Sequence, residues 1–71
     1  MATRVVVCLS SEGYEASLEL RKLYRLLADP GAERRGLLRV VDESDEDYLY
    51  PARMFGCFEV PDELASKLGL A

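Results

Sequence analysis

Apolar residues along this chain fall in short runs broken by turn-forming residues, the spacing of a small β protein. Arg4-Val5-Val6-Val7-Cys8-Leu9 is a β-branched run closed by Ser10-Ser11-Glu12-Gly13, the composition of a short buried strand. Leu37 to Asp42 has the same character, and the polar run from Asp42 to Asp47 supplies a hairpin turn into Tyr48-Leu49-Tyr50. Pro51 ends that strand, because it has no N–H to give to a ladder. Phe55 to Val60 predicts a last short strand, with Gly56 as a bulge or a point of close approach. Between these runs, Asp29-Pro30-Gly31 is a stop signal, and Pro30 and Gly36 frame about one turn of helix over Ala32–Arg35. After Pro61, two acids in a first turn, Leu64 and Leu68 four residues apart, Lys67 in the last turn and Gly69 as a stop predict a short C-terminal helix.

One segment fits two templates. Leu20, Leu23, Tyr24 and Leu27 lie at i, i+3, i+4 and i+7, which is the stripe of an amphipathic helix over residues 17–28. Leu20, Tyr24, Leu26 and Ala28 also fall on one side of a strand, with Lys22 interrupting. Periodicity leaves both open.

Composition narrows the field. With 71 residues, 49% hydrophobic and 31% charged, the chain is one ordered domain with a small core and no room for a large enclosed active site. A core of this length supplies roughly 3–5 kcal/mol, which makes a homodimer a physically reasonable way to bury more. The chain has no run of 18 apolar residues and opens without a basic leader, so the expected setting is cytoplasmic, with no membrane span. In that setting Cys8 and Cys57, both within apolar runs, are expected to be reduced thiols of the core.

Charge disfavours nucleic acid: nine basic residues are scattered among thirteen acidic ones, for a net charge of −4, whereas holding a phosphate backbone takes clustered Lys and Arg. The local exceptions are Arg21, Lys22, Arg25, Arg34 and Arg35, the residues an RNA- or ribosome-associated barrel would use. Catalysis is also disfavoured, since there is no His, the carboxylates lie in polar stretches, and neither thiol has an evident base. Asp42 to Asp47 holds five acids in six positions but lacks the alternating spacing and central Gly of a calcium loop. It is expected to be a solvated turn, with no metal or other cofactor.

Tyr48-Leu49-Tyr50-Pro51-Ala52-Arg53-Met54-Phe55 resembles the stretch of SH3-like barrels in which a strand enters a 3₁₀ turn at a proline and leaves as the final strand. Glu12-Gly13-Tyr14-Glu15-Ala16 is similar in position to the tyrosine-bearing first loop of that family. At the level of pattern the resemblance runs from Val5 to Val60. It implies a mainly β, five-stranded SH3-like barrel with a short C-terminal helix, in which Leu18 to Leu27 is the second strand; the rival is an α+β domain with a helix at 17–28. The chain also resembles a group of short uncharacterised bacterial proteins with a Gly-Tyr-Glu-Ala-Ser-Leu loop and a Glu-Asp-Tyr-Leu-Tyr-Pro-Ala stretch, here residues 13–18 and 46–52.

The family's proline-peptide groove relies on a Trp and on a tyrosine in the 3₁₀ turn; this chain has no Trp, and Met54 stands at the tyrosine's place. What the resemblance implies is therefore a non-catalytic protein-interaction module with an unknown protein partner. Because the first loop and the 3₁₀ turn are neighbours in that fold, the implied contact residues are Tyr14, Tyr48, Tyr50, Pro51 and Met54. The other readings are the RNA-associated barrel and a structural subunit that associates with itself through its strand edges.

Overall fold

The computed structural model describes residues 1–71. Its elements are strand β1 (Ala2–Cys8), β2 (Leu23–Leu27), helix α1 (Pro30–Glu33), β3 (Leu37–Val41), β4 (Asp47–Pro51), a 3₁₀ turn (Ala52–Met54), β5 (Phe55–Pro61) and α2 (Asp62–Lys67). The five strands form one antiparallel sheet in the order β4-β3-β2-β1-β5. The chain is thus mainly β, with five strands and a short C-terminal helix. The sheet is not closed by hydrogen bonds, since β4 and β5 each pair on one side only.

Strand alternation sorts the core into two layers. Val6 and Cys8 point to one face with Tyr24, Leu38, Val40, Tyr50 and Phe55, where Leu18 from the first loop and Met54 from the 3₁₀ turn complete the cluster. Val5 points to the other face and meets Val60, Ala65 and Leu70, with Leu23 beside them. β1 is buried on both faces over its second half, which is why Val5–Cys8 is an unbroken apolar run instead of an alternation. Val5, Val6 and Cys8 are completely shielded, and each such aliphatic side chain contributes about 1.5–3 kcal/mol relative to exposure.

Helix α2 exists to cover Val5. Ala65 is the residue it buries, while Leu64 and Leu68 stay exposed. The helix ends in a Schellman arrangement: Gly69 is at φ 73°, its N–H donates to the Ser66 carbonyl, and the Leu70 N–H donates to the Ala65 carbonyl at 2.8 Å. That closure turns Leu70 back into the core. Asp29 caps α1 by accepting from the Ala32 N–H at 3.1 Å, and Arg39 grips the same carboxylate at 2.8 Å.

Three expectations are corrected here. The second strand begins at Leu23, not Leu18, and residues 17–28 form no helix; Leu18 is a core plug on a turn, and Leu20 is exposed. The reason is a bulge at Arg21-Lys22: the Arg21 N–H donates to the Cys8 carbonyl at 2.7 Å, and the Cys8 N–H donates to the Lys22 carbonyl at 3.0 Å, so two residues oppose one. Cys57, expected in the core, is exposed, because β5 is an edge strand and nothing lies beyond it; Cys8 is buried and unpaired.

Arg21 sits at φ 61°, in the left-handed region that costs an L-residue about 1–2 kcal/mol. Arg21→Gly relieves that strain but frees the unfolded chain. The expected net effect is a gain of about 0.5 kcal/mol in chemical denaturation; a loss above about 1 kcal/mol would show that the Arg21 side chain holds the bulge in place.

Candidate functional site

The inner face of β4 leads to the site. In the β3–β4 ladder Tyr48 lies opposite Val40 and Tyr50 opposite Leu38, so both rings share the core-facing side. Tyr50 lies deep, only 3% exposed, and Tyr48, nearer the hairpin tip, remains 50% exposed. The Tyr14 ring packs edge-on against Tyr50 with centroids 5.0 Å apart, and Phe55 meets Tyr50 on a second side at 6.0 Å. Tyr14 is itself 42% exposed, so it is a half-covered lid over a buried ring.

Two open cavities meet at Tyr14. One, of about 520 Å³, is lined by Ser10, Glu12, Tyr14, Pro51, Arg53 and Met54. The other, of about 330 Å³, is lined by Tyr14, Ser17, Asp42, Ser44, Tyr48, Leu49 and Tyr50. All five residues singled out from the sequence line one or both. Their parts differ: Tyr14 and Tyr48 present free ring surface and Pro51 is half-buried, whereas Tyr50 and Met54 are buried and form the floor.

The first loop is held over this floor by backbone bonds at both ends. The Leu9 N–H donates to the Met54 carbonyl at 2.8 Å, and the Glu43 N–H donates to the Ser17 carbonyl at 3.0 Å. Within the loop the Ser17 and Leu18 N–H groups both donate to the Tyr14 carbonyl. The loop is thereby fastened to the 3₁₀ turn on one side and to the β3–β4 hairpin on the other.

The acidic hairpin is more than a solvated turn. Asp42 is 6% exposed; its Oδ2 accepts from the Tyr50 hydroxyl at 2.5 Å, and its Oδ1 accepts from the Ser44 N–H and hydroxyl at 2.9 and 2.5 Å. Burial alone would raise its pKa, but the hydrogen bonds from Ser44 and Tyr50 outweigh it and hold the carboxyl below its ordinary 3.8. Tyr50 responds oppositely: burial first, and then donation to Asp42, push its hydroxyl up to about 12. A second pair runs alongside. The Tyr24 hydroxyl accepts from the Glu19 N–H and donates to Glu43 Oε2, and Lys22 Nζ lies 2.6 Å from the same carboxylate. Hydrogen bonds from Lys22 and then Tyr24 lower the Glu43 pKa.

Asp42 and Glu43 are the positioning residues that sequence reasoning missed. The signal was present for Asp42: Leu38, Val40 and Asp42 stand two apart on the inward face of one strand, so the alternation carries a carboxylate into the core margin. The basic residues considered above do not form an acid-free patch. Lys22 is committed to Glu43 and Glu19, and with Arg25 it borders a shallow hollow that also contains Asp42, Glu43 and Asp45. The Cys8 thiol is pushed up by burial and donates to the Ser10 carbonyl, so it stays protonated.

No protein-family model, curated protein or solved structure matches this chain. Its class is stated from its own geometry: a mainly β domain of five antiparallel strands with an aromatic cleft along one margin. No helix is long and apolar enough to cross a membrane.

Both depressed carboxylates contribute stability that is fully present above their unfolded pKa values and is lost as pH falls through the folded ones. Stability is expected to be level from pH 7 to about 5 and to fall below about pH 4. Asp42→Asn should cost about 1–3 kcal/mol at pH 7 and flatten part of the acid-side slope; an acid slope unchanged from wild type in urea titrations at several pH values would remove Asp42 from this account. On the alkaline side the raised Tyr50 hydroxyl stabilises below its unfolded value of 10.0 and loses that contribution as pH climbs toward about 12.

Proposed function

We propose that this chain is a small, non-catalytic protein-interaction module of SH3-like barrel form, acting in the bacterial cytoplasm, whose contact surface is the cleft around Tyr14. The observation that carries the reading is the convergence of Tyr14, Tyr48, Pro51, Tyr50 and Met54 on two cavities that share the Tyr14 ring. Tyrosine suits such a surface because its ring gives apolar contact area while its hydroxyl stays wet, and only two torsions must be frozen on binding. The floor beneath is fixed by Asp42 and Tyr50, so the cleft is largely preformed and little ordering is required when a partner segment docks. The cleft offers Ser10 and Ser17 for polar contacts and Glu12 with Arg53 as charges of opposite sign on its rim.

Tyr14→Ala and Tyr48→Ala are the informative substitutions, because they remove exposed ring surface. Tyr50→Ala would instead open a core cavity and orphan Asp42, at about 3–5 kcal/mol. Immobilised wild type, Tyr14→Ala and Tyr48→Ala, each verified as folded by circular dichroism, would be compared in quantitative capture from bacterial lysate. Proteins retained by wild type should be depleted at least about tenfold on both variants and retained by a Leu64→Ala control. Equal recovery on all four would overturn the cleft as the binding surface.

A further inference from the structure

We propose that the free edge of β5 is a self-pairing surface, and that two copies of the chain associate by antiparallel addition of β5 to β5 about a two-fold axis at Cys57. This inference concerns the outward backbone of β5, at the other end of the strand order from β4, and does not rest on the function proposed for the cleft.

Backbone parity identifies what the edge offers. The Asp62 N–H donates to the Met1 carbonyl and the Leu9 N–H to the Met54 carbonyl, in line with the register Thr3↔Val60, Val5↔Phe58 and Val7↔Gly56. In an antiparallel ladder, bonded and non-bonded pairs alternate, so the even residues of β5 are committed to β1. Cys57 and Glu59 turn their N–H and C=O groups outward. The Phe55 N–H is already used on the Ala52 carbonyl, and Pro61 has none.

Those constraints favour one register and argue against its neighbour. With Cys57 opposite Cys57, the two cysteines exchange both bonds and each Glu59 N–H donates to the Phe55 carbonyl of the second copy, so every free donor is used. With Phe58 opposite Phe58, Pro61 would face Phe55, two carbonyls meeting with no donor between them. The first register also suits the side chains. It sets Phe58, 41% exposed, against Gly56 of the second copy, over which half-buried Val7 and exposed Leu9 lean, with Val7 Cγ1 and Leu9 Cδ1 3.3 and 3.6 Å from where a Cβ would stand, so the ring meets an apolar seat. An aromatic ring laid across a strand glycine is a recognised way to pin register at an edge.

Charge agrees with this occupant. Glu59 is the one ionisable carboxylate on β5, and it stands beside Arg4 of its own chain in the β1 ladder. The two-fold places the two Glu59 side chains four residues apart along the paired strands, each facing Phe55, so no like charges meet. The other edge, β4, begins at Asp47 and ends at Pro51, and a β4-to-β5 pairing would be head-to-tail and open-ended. The two-fold pairing closes on itself, with no repeating polymer. An edge pairing of this size is small, and the dimer it makes is a weak one.

Light scattering on the full chain across concentrations up to about 1 mM would test this, together with a short bismaleimide that reacts with the exposed Cys57 thiol and not with buried Cys8. Wild type should rise toward dimer mass and yield one covalent dimer joined through Cys57. Phe58→Glu, and independently Cys57→Lys for the mass measurement, should raise the dimer Kd at least about tenfold, while Tyr14→Ala leaves it unchanged. Should Phe58→Glu fail to fold, Cys57→Lys alone carries the comparison. A wild type that stays monomeric throughout, or a dimer that survives these edge substitutions, overturns the proposal.

Discussion

Everything in this small domain is arranged around the need to bury β1 on both faces at once. Val5 points one way and Val6 and Cys8 the other, so the chain must supply two covers from very few residues. The rest of the sheet curls over Val6 and Cys8 and closes that layer with Leu18 and Met54. The other cover is α2, six residues long and fixed by a Schellman turn so that Ala65 and Leu70 reach Val5 and Val60. A chain of this size cannot complete both covers and also shield its margins; its two edge strands are left short of neighbours, and that is where the exposed rings and the exposed thiol lie.

The cleft follows from a second constraint, the cost of placing a carboxylate against the inner layer. Asp42 is carried inward by strand alternation and would be unfavourable there alone. Tyr50 and Ser44 satisfy it, and the same bond that satisfies Asp42 fixes the Tyr50 ring against Tyr14. Glu43, next in sequence and in the turn beyond β3, reaches Tyr24 and Lys22 and by its N–H holds the first loop at Ser17. Two adjacent acids therefore do what a Trp or a disulfide does in other small domains: they lock a long loop over the sheet. The carboxylates whose pKa values are depressed are the same groups that fasten Tyr50 and the first loop, so the expected acid dependence and the shape of the cleft have one origin.

Much of the architecture was legible in the sequence because strands, caps and stops depend on local chemistry. Strands β1, β3, β4 and β5, the Pro51 break, the capped turn after Asp29 and the C-terminal helix stopped by Gly69 all follow from neighbours within a few residues. What the sequence hid was non-local or stereochemically rare. The start of β2 depends on a bulge in which Arg21 takes a backbone conformation usually left to glycine, and no composition rule points to arginine there. Cys57 lies in as apolar a run as Cys8, but its exposure depends on strand order, which places β5 at a margin. The five residues singled out from the sequence line two cavities that share the Tyr14 ring; that Tyr50 and Met54 are buried while Tyr14 and Tyr48 are exposed depends on how the sheet and the first loop pack, which periodicity does not contain.

Strand order also decides how the two margins relate. The cleft is built from the first loop, β4 with its hairpin and the 3₁₀ turn, whereas the unpaired backbone considered for self-association is the outward side of β5, last in the strand order. Pairing at β5 would engage residues 55–59, none of which lines the cleft, so each copy would keep its own. Two weak sites held at a fixed separation bind a partner that carries two matching segments far better than either site alone, because the second contact is made at high effective concentration. Such an arrangement turns two deficits of a very small domain, a shallow cleft and an uncovered edge, into a single bivalent surface, and it does so without adding a residue.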